Sequence, residues 1–234
     1  MKKVALITSC AKGIGKELAL ILAEKGYDII ITYNTSKDEA LRLGKYIEDN
    51  YKVHTCIIKC DISNEEEILN MKNEVIKEYD HLDILINNAA LSMDNSICDK
   101  TKFEFMKVLE VNLVGTFLVT KYFINLLDNS VVVNMSSTDS IDTYSKLNID
   151  YSSSKAGINI LTKTFALSYP NIKIIGAMPN WTDTESIREM NPDYLMEELS
   201  RIGQDKLEKP CEVAQNIIDL IENKDVLSGE IRIV

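Results

Sequence analysis

Short apolar, β-branched runs alternate along the chain with longer segments whose apolar residues recur at helical spacing. The first pair shows the pattern. Residues 4–8 predict a buried strand, and residues 14–25 predict a helix with Leu18, Ile21 and Leu22 on one face. The chain therefore begins with a strand followed by a helix.

The same alternation continues to the last residue. Further strands are predicted at residues 29–33, 53–58, 83–87, 131–135, 172–177 and 230–234. Further helices are predicted at residues 36–50, 64–79, 102–127, 149–169 and 211–223, with Asn64 as an N-cap. The charged residues 182–208 predict one or two surface helices.

This pattern predicts the α/β class, with one doubly wound Rossmann-type domain over residues 1–234. About seven parallel strands are expected, with helices on both faces, because the strands read as continuous apolar runs. Right-handed crossovers place a ligand crevice at the carboxyl ends of such strands. Residues 182–208 follow the sixth strand and are predicted to form a substrate lid within this domain.

The net charge of the chain argues against two classes of binding partner. Lys and Arg total 26 against 36 Asp and Glu, a formal net charge of −10. A surface this acidic repels phosphate backbones and anionic lipids, so we expect no binding to nucleic acid or to membranes. No apolar run reaches the ~18 residues of a membrane span.

Cysteine usage indicates a reducing, cytoplasmic location. The five cysteines are odd in number and form no C-x-x-C pair, and Cys56 and Cys60 are interpreted as small buried thiols. With only two histidines in the chain, no metal site is predicted. The apolar run near the N-terminus is too short for a signal peptide and is soon followed by Lys12 and Lys16.

The first strand leads into the first helix through the turn T-S-C-A-K-G-I-G, residues 8–15. Gly13 and Gly15 would let the backbone approach a pyrophosphate, and the helix N-terminus would supply free N–H groups and a positive dipole. Two glycines at such a turn are equally typical of a purely structural turn.

Polar residues recur near the ends of the later strands, and each has a simpler alternative. Asp61 could cap a helix, and Asn112 could occupy a surface position. Tyr151 and Lys155 lie four apart on one helix face, where such pairs are usually solvated. The remaining polar segments are N-N-A-A at residues 87–90, Ser137 after the fifth strand, and P-N-W-T-D-T at residues 179–184.

Taken in this order, the segments resemble the short-chain dehydrogenase/reductase family over essentially the whole chain. In turn sequence and size they resemble its 3-oxoacyl-carrier-protein reductase-like members. The first turn matches T-G-x-x-x-G-x-G, residues 87–90 resemble N-N-A-G, and residues 179–184 resemble P-G-x-x-x-T. Ser9, Ala90 and Asn180 stand where the family has glycine.

The resemblance implies a catalytic set of Ser137, Tyr151, Lys155 and Asn112, with Thr138 left as an alternative hydroxyl. A phenol with a pKa near ~10 is a weak acid or base at neutral pH, and a neighbouring ammonium lowers that pKa. Ser137 would hold the substrate oxygen as charge develops on it. The resemblance also implies that Lys155 binds the nicotinamide ribose and that Asn112 anchors a water.

The resemblance implies a nicotinamide cofactor held by Thr8, Ser9, Lys12, Gly13, Ile14, Gly15, Asn34, Lys37, Asp61, Ile62, Asn88, Ala89, Tyr151, Lys155, Pro179, Thr182 and Thr184. The second strand ends in Thr32-Tyr33-Asn34, so no carboxylate is expected there to repel a 2′-phosphate. We therefore predict NADP(H), with Lys12 and Lys37 contacting that phosphate. The alternative is that both lysines are plain surface charges.

The predicted function is that of an NADP(H)-dependent oxidoreductase. It would transfer a hydride between nicotinamide and a carbonyl or alcohol, most simply reducing a small ketone or a 3-oxoacyl compound. A hydroxysteroid is the alternative substrate. The rival class is a catalytically weak NADP(H)-binding sensor or scaffold, which the three altered glycine positions keep open.

Two predictions concern protein partners. The helices at residues 102–127 and 149–169 carry apolar residues on more than one face, including Phe117, Phe123 and Ile158. Since the family commonly pairs these helices, a homotetramer is predicted, and the lack of a tail after Val234 leaves a homodimer open. The alternative is that one helix simply covers the other.

Docking of an acyl carrier protein is doubtful on charge. An acidic carrier needs a basic patch beside the pocket mouth. The resemblance places such bases in residues 125–130 and 166–171, which here contain no Lys or Arg and include Asp128. Lys121 and Lys173 are the nearest remaining bases that could restore docking.

Overall fold

Seven parallel strands form one sheet within residues 2–234, the part of the chain that the computed structural model describes. They are β1 (Lys3–Ile7), β2 (Tyr27–Tyr33), β3 (Thr55–Lys59), β4 (Ile84–Asn87), β5 (Val131–Met135), β6 (Lys173–Met178) and β7 (Ile231–Ile233). Their order is β3-β2-β1-β4-β5-β6-β7. The order reverses between β1 and β4, which makes the carboxyl ends of these two strands the switch point where ligands bind in such sheets.

Helices cover both faces of the sheet. They are α1 (Gly13–Glu24), α2 (Lys37–Tyr51), α3 (Glu65–Val75), α4 (Lys102–Leu109), α5 (Thr116–Phe123), α6 (Ile149–Ser168), α7 (Glu185–Arg188), α8 (Pro192–Ile202) and α9 (Pro210–Glu222). Residues of α1, α2 and α9 pack in one apolar core. Residues of α3, α5 and α6 pack in a second core on the opposite face. The predicted fold class is confirmed.

Two predicted helices end or change earlier than their apolar spacing suggests. The helix capped by Asn64 ends at Val75 instead of residue 79, because the amides of Lys77 and Glu78 bond to carbonyls only three residues earlier. The Tyr79 hydroxyl then reaches the buried Asp28. The long helix predicted at residues 102–127 is divided by a π-helical segment, Glu110–Gly115, and ends in a 3₁₀ turn, Ile124–Leu126.

Side-chain hydroxyls accompany the π-helical segment. Thr116 and Thr120 donate to the carbonyls of Asn112 and Thr116, respectively, at 2.7 and 2.8 Å. Such contacts to the preceding turn weaken and bend a helix. A Cβ added to Gly115 would lie 2.8 Å from the carbonyl oxygen of Ile62, so this turn packs directly on the β3–α3 loop.

A buried polar chain ties the strands to α6. Asn87 of β4 donates to Thr120 at 2.9 Å and to Asn134 of β5 at 2.8 Å. Asn134 in turn donates to Thr162 of α6 at 2.9 Å. These hydrogen bonds cross the apolar layer and fix where α6 lies relative to the strand ends, because a buried polar group must keep its partner.

The apolar residues of the paired-helix prediction divide into two groups. Phe123 and Ile158 are buried by other residues of the same chain, so the alternative that these helices are covered within the monomer is correct for these two residues. Large apolar side chains nevertheless remain exposed on α4 to α6: Phe103, Met106, Val114, Phe117, Ile160 and Leu167. The surface available for pairing therefore keeps Phe117 and otherwise consists of residues that the periodicity alone does not single out.

Candidate active site

A cavity of about 730 Å³ lies at the carboxyl ends of the strands around the switch point. The predicted site residues that line it are Ser9, Lys12, Gly13, Ile14, Asn88, Ser137, Tyr151, Lys155, Pro179, Thr182 and Thr184. The other predicted residues lie behind or beside its wall: Thr8, Gly15, Asn34, Lys37, Asp61, Ile62, Ala89 and Asn112. Segments distant in the sequence thus meet around one space.

The first turn is held against β4 by its polar groups. The Thr8 hydroxyl accepts from the backbone amides of Asn88 and Ala89 at 2.9 and 3.0 Å. The side-chain amide of Asn88 donates in turn to the backbone carbonyls of Thr8 and Ser9. Because Thr8 and Ala89 act from behind the wall, their role is to set the position of the turn.

The turn leaves room for an anion at the start of α1. Lys12 is the N-cap residue, and no side chain within residues 2–234 caps the first amides of the helix. A Cβ added to Gly15 would lie 2.6 Å from Asn88 Nδ2 and 2.9 Å from Cys10 Cα, so this position requires glycine. Uncapped amides and a positive helix dipole are the groups that bind phosphate.

Ser9 stands where the resembled pattern has glycine, and it adopts the left-handed backbone conformation that favours glycine. Its φ is +55°, and its amide donates to Thr32 Oγ1 at 3.0 Å. The turn therefore keeps its shape despite the substitution, at a conformational cost of about 1–2 kcal/mol for a residue with a Cβ.

Replacing Ser9 with glycine should raise the free energy of unfolding by about 1 kcal/mol, because the left-handed conformation costs glycine nothing. Urea denaturation would measure the change. Ser36→Gly is the matched control: Ser36 has a φ of −86° and makes no capping hydrogen bond, so glycine should there lower stability. Equal changes of the same sign in both variants would contradict the assignment of strain to Ser9.

The β2 and β3 ends carry the residues predicted for the adenosine. Asp61 accepts from the amide and hydroxyl of Ser63 at 2.9 and 2.7 Å and also bonds to Asn34. Asn64, not Asp61, caps α3, so the capping alternative for Asp61 is wrong. These contacts leave Asp61 and Asn34 at the surface next to the first turn, outside the cavity wall.

The lysines predicted for the 2′-phosphate differ in their surroundings. Lys37 is exposed at the first position of α2. Lys12 Nζ lies 3.4 Å from Glu39 Oε1, and Arg42 approaches the same oxygen at 3.6 Å. The first turn of α2 therefore brings a carboxylate, Glu39, to Lys12, a contact that the end of the second strand does not predict.

The predicted catalytic hydroxyls come together where β5 meets α6. Ser137 directly follows the strand end and lines the cavity, and its Oγ accepts from the Asp139 amide at 3.1 Å. The Thr138 hydroxyl is buried instead and bonds to Thr143 at 2.8 Å. Of the two alternatives, only Ser137 therefore faces Tyr151 across the cavity.

Tyr151 and Lys155 lie one turn apart at the start of α6. Lys155 Nζ is 5.3 Å from the centroid of the Tyr151 ring and donates to the carbonyl of Met135 at 2.6 Å. The lysine is 2% exposed, so it is not a solvated surface charge. The alternative of a solvated pair is wrong because the helix turns this face toward the strand ends.

Burial shifts the protonation equilibria of this pair. Burial raises the pKa of the Tyr151 phenol, the charge of Asp139 raises that pKa further, and the Ser137 hydroxyl lowers it. Burial lowers the pKa of Lys155 to about 8, and Asp139 opposes that change. The tyrosine is therefore held in its protonated, proton-donating form.

Asn112 is fully buried in the π-helical segment, so the surface alternative is wrong. Its Oδ1 accepts from the Leu91 amide at 2.7 Å, and its Nδ2 donates to the Leu91 carbonyl at 2.9 Å. The same Nδ2 donates to Ser154 at 3.0 Å. Asn112 therefore joins the loop after β4 to the helix that carries Tyr151.

Sequence reasoning missed a buried ion pair next to the tyrosine. Lys100 Nζ lies 2.9 Å from Asp150 Oδ2, and their side chains are 4% and 0% exposed. Asp150 Oδ1 also accepts from the Tyr151 amide at 3.0 Å. The pair attaches the loop after β4 to the first turn of α6. The only sequence signal was an acidic residue beside the tyrosine, which by itself predicts solvent exposure.

Residues 182–208 lie over the cavity and are joined to the loop between β5 and α6. The Arg201 guanidinium donates to the carbonyls of Thr143 and Tyr144 at 3.0 and 2.8 Å. Tyr194 bonds to Ser145, and Thr184 lies against Gly13. This segment therefore contacts both the predicted cofactor side and the predicted substrate side.

Other regions do not add a site of this kind. A hollow of about 450 Å³ at the opposite edge of the sheet is lined by both histidines, His54 and His81, and by Asp28. Across the described residues, no group of three or more His, Cys, Asp or Glu side chains is placed to hold a metal ion. Within the same residues, no helix is long and apolar enough to cross a membrane.

Comparison with known proteins gives consistent matches. The model of the family described as short chain dehydrogenase matches residues 3–195. The chain is 31% identical to the 3-oxoacyl-[acyl-carrier-protein] reductase FabG of Thermotoga maritima, over 95% of this chain and 91% of that protein. It is 29% identical to the FabG of Aquifex aeolicus, over 98% of this chain and 94% of that protein.

A solved structure matches with a TM-score of 0.90 and 25% identity, over 99% of this chain and 96% of that chain. It is a short chain dehydrogenase from Burkholderia cenocepacia in complex with NADP. A dehydrogenase/reductase from Sinorhizobium meliloti matches with a TM-score of 0.91 and 24% identity, over 99% of this chain and 93% of that chain.

Proposed function

Because the chain belongs to the short-chain dehydrogenase family, we propose that it is an NADP(H)-dependent oxidoreductase that reduces a small ketone to an alcohol. One observation carries the proposal. Ser137, Tyr151 and Lys155 line the same cavity as the glycine turn and the uncapped start of α1. A protein that only bound the dinucleotide would have no chemical need for this tyrosine.

The residues present fit the cofactor. Backbone amides at Gly13 and Ile14 would hold the pyrophosphate, and Asp61 with Ile62 would meet the adenine. Pro179, Thr182 and Thr184 also line the cavity, and they would hold the nicotinamide end. When bound, the reduced nicotinamide supplies the hydride.

Side chains of the protein would protonate the substrate oxygen and stabilise the charge that develops on it. Tyr151 gives its proton to this oxygen as the carbonyl becomes an alcohol, and its raised pKa keeps that proton available. Ser137 donates a hydrogen bond to the same oxygen as negative charge develops on it. The ammonium of Lys155 stabilises the phenolate that Tyr151 becomes. The water assigned to Asn112 stays a prediction.

An assay of NADPH oxidation with a panel of activated ketones, diketones, a 3-oxoacyl thioester and an oxosteroid tests this function. Turnover of at least one small ketone is expected. Binding of NADPH without turnover of any compound would instead favour the sensor or scaffold. A strong preference for the steroid would favour the hydroxysteroid alternative.

We propose that the substrate is a free small carbonyl compound, not one bound to a carrier protein. The segments at residues 125–130 and 166–171 precede β5 and β6, so they lie at the edge of the sheet opposite the cavity. Their lack of Lys and Arg therefore does not determine the charge at the cavity mouth. Lys173 cannot restore docking, since it donates to three carbonyls at the end of α9. The mouth itself carries Asp94 and Glu189, which would repel an acidic carrier.

The carrier prediction is tested by comparing kcat/KM for a 3-oxoacyl group on the carrier protein with kcat/KM for the same group as a short free thioester. We expect no advantage for the carrier-bound form. A large advantage would restore the fatty-acid assignment.

Cofactor preference should depend on Lys12 and Glu39 in opposite directions. Lys12→Ala should weaken NADPH binding about tenfold with little effect on NADH, because one charge-assisted contact to the 2′-phosphate is lost. Glu39→Gln should strengthen NADPH binding, because it removes a negative charge 3.4 Å from Lys12 Nζ.

Titration of each variant with NADPH and NADH at fixed ionic strength measures both effects, with Lys16→Ala as the control because Lys16 lies outside the cavity lining. The NADP(H) assignment fails if kcat/KM of the wild type with NADH equals or exceeds kcat/KM with NADPH. It also fails if Lys12→Ala weakens both cofactors equally.

We propose further that the protein is a homotetramer, with a homodimer as the alternative. The exposed apolar residues of α4 to α6, such as Phe103 and Leu167, offer apolar surface that a second copy of the chain would cover. Sedimentation velocity at micromolar concentration tests this, and a monomer would contradict it.

We also propose that residues 1–234 act as one catalytic unit with residues 182–208 as its substrate lid. Limited proteolysis tests the lid: bound NADPH should protect residues 182–208 from cleavage, and equal cleavage with and without it would count against the lid.

We further propose a cytoplasmic location for the protein. The five cysteines are free in the described chain, which supports a reducing compartment.

A further inference from the structure

A buried carboxylate shares the cavity with the catalytic groups. Asp139 stands two residues beyond Ser137, is 4% exposed, and lines the cavity. Its charge acts to raise the pKa of both Tyr151 and Lys155, so it lies close to the reacting end of the site. The reaction as derived above does not use it.

Burial raises the pKa of Asp139, and its hydrogen-bond donors oppose that change because they suit the ionised form. Its Oδ1 accepts from the Thr143 hydroxyl at 2.9 Å, and its Oδ2 accepts from Asn148 Nδ2 at 2.8 Å. The Trp181 indole lies on the same side and acts to lower the pKa of this carboxyl. A carboxylate offers about four acceptor sites, so acceptor capacity remains for a ligand.

Within residues 2–234, no cationic side chain forms an ion pair with Asp139. The basic residues whose charges interact with it are Arg201 and Lys155, and both have other partners. Arg201 pairs with Glu198 at 2.7 Å and donates to two backbone carbonyls, and Lys155 donates to the Met135 carbonyl. A buried carboxylate without an ion-pair partner favours a ligand that brings positive charge, because charge buried alone is costly.

Two aromatic rings line the same cavity. The rings of Trp181 and Tyr194 are 6.5 Å apart at 58° to each other. The Tyr194 hydroxyl bonds to Ser145, and the Trp181 side chain is 9% exposed, so packing and this hydrogen bond position the two rings. Aromatic faces beside a carboxylate are the chemistry that binds alkylammonium groups.

We propose that Asp139, Trp181 and Tyr194 form a subsite for an alkylammonium group, so that the preferred substrates are small ketones carrying a protonated amine. This rests on the proposed function and names the substrate class. The hydride adds to the carbonyl carbon, the Tyr151 proton goes to the oxygen, and the ammonium is unchanged. Asp94 and Glu189 at the mouth carry the sign that attracts a cation.

Three methyl ketones of matched length test the subsite on the wild-type enzyme. The first ends in a dimethylammonium group, the second in its neutral isopropyl isostere, and the third in a carboxylate. With NADPH at neutral pH, kcat/KM should be about 10- to 100-fold higher for the ammonium than for the isopropyl ketone, the range expected for one charge-assisted contact. The carboxylate should be the poorest substrate.

Variants then assign the preference to the subsite. Asp139→Asn should reduce the ammonium-to-isopropyl ratio of kcat/KM to nearly one, and the ratio cancels any common effect on Tyr151. Tyr194→Leu should reduce the ratio, whereas Tyr194→Phe should keep it, because the ring face remains. The Tyr194 variants test the subsite independently if Asp139→Asn does not fold. Asp94→Asn, an exposed acid at the mouth, should change the ratio less than Asp139→Asn.

The outcomes separate the two proposals. Equal kcat/KM for the ammonium and isopropyl ketones would overturn the subsite and leave ketone reduction standing. A preference that persists in both Asp139→Asn and Tyr194→Leu would also overturn it. NADPH binding without turnover of any ketone would defeat the proposed function, and the subsite with it.

Discussion

Replacing Tyr151 with phenylalanine should lower kcat for ketone reduction by about 10²–10⁴-fold, the contribution of a positioned proton donor. The phenylalanine ring keeps the packing over Lys155, whose Nζ lies 5.3 Å from the ring centroid. The dissociation constant for NADPH and the free energy of unfolding should therefore change little. Stopped-flow rates with saturating NADPH, together with fluorescence titration, would separate the two effects.

Tyr144→Phe is the matched control for this prediction. Tyr144 is 60% exposed, does not line the cavity, and contacts Arg201 only through its backbone carbonyl. Its hydroxyl can be removed without touching the site, so kcat should stay at the wild-type value. A Tyr151→Phe enzyme that retains a tenth or more of wild-type kcat would remove Tyr151 from the role of proton donor.

Breaking the buried ion pair should give the largest loss of stability. Lys100→Met leaves the Asp150 carboxylate in an apolar environment without its partner at 2.9 Å, with both side chains at most 4% exposed. Removing one member of a buried pair costs about 3–5 kcal/mol. Urea denaturation should show this loss, and kcat should fall as well, because Asp150 Oδ1 accepts from the Tyr151 amide.

The double variant Lys100→Met/Asp150→Asn should recover most of the lost stability, because no charge is then buried and the asparagine oxygen can still accept from the Tyr151 amide. Lys146→Met is the control, since Lys146 forms a pair with Glu197 that is exposed on both sides. It should change stability little. If Lys100→Met is no more harmful than Lys146→Met, the buried pair does not hold α6 in place.

The local pattern of the chain was sufficient for most elements. Residues 131–135 coincide with β5, and the other strands differ by at most two residues at either end, because apolar period and flanking polar residues are local properties. Helix boundaries were less certain where tertiary contacts intervene. The helix after Asn64 ends early, where Tyr79 contacts Asp28, and the residues next to Tyr79 in the sequence do not predict that contact.

The candidate site was accessible from sequence because of the topology of parallel sheets. Residues that follow β1, β4, β5 and β6 must meet at one edge, so Gly13, Asn88 and Ser137 could be placed together before any coordinates. The choice between Ser137 and Thr138 was not accessible. Both follow the same strand, and only the packing shows that Thr138 turns inward to Thr143.

The sequence by itself thus determined the fold class, the edge of the sheet that carries the site, and the residue types available there. Only the tertiary structure decided which distant groups act on those residues. It brings Glu39 to Lys12, Lys100 to Asp150, and Trp181 with Tyr194 to Asp139. The physical reason is that apolar periodicity specifies each element and its buried face, whereas contacts between polar side chains depend on how separate elements pack.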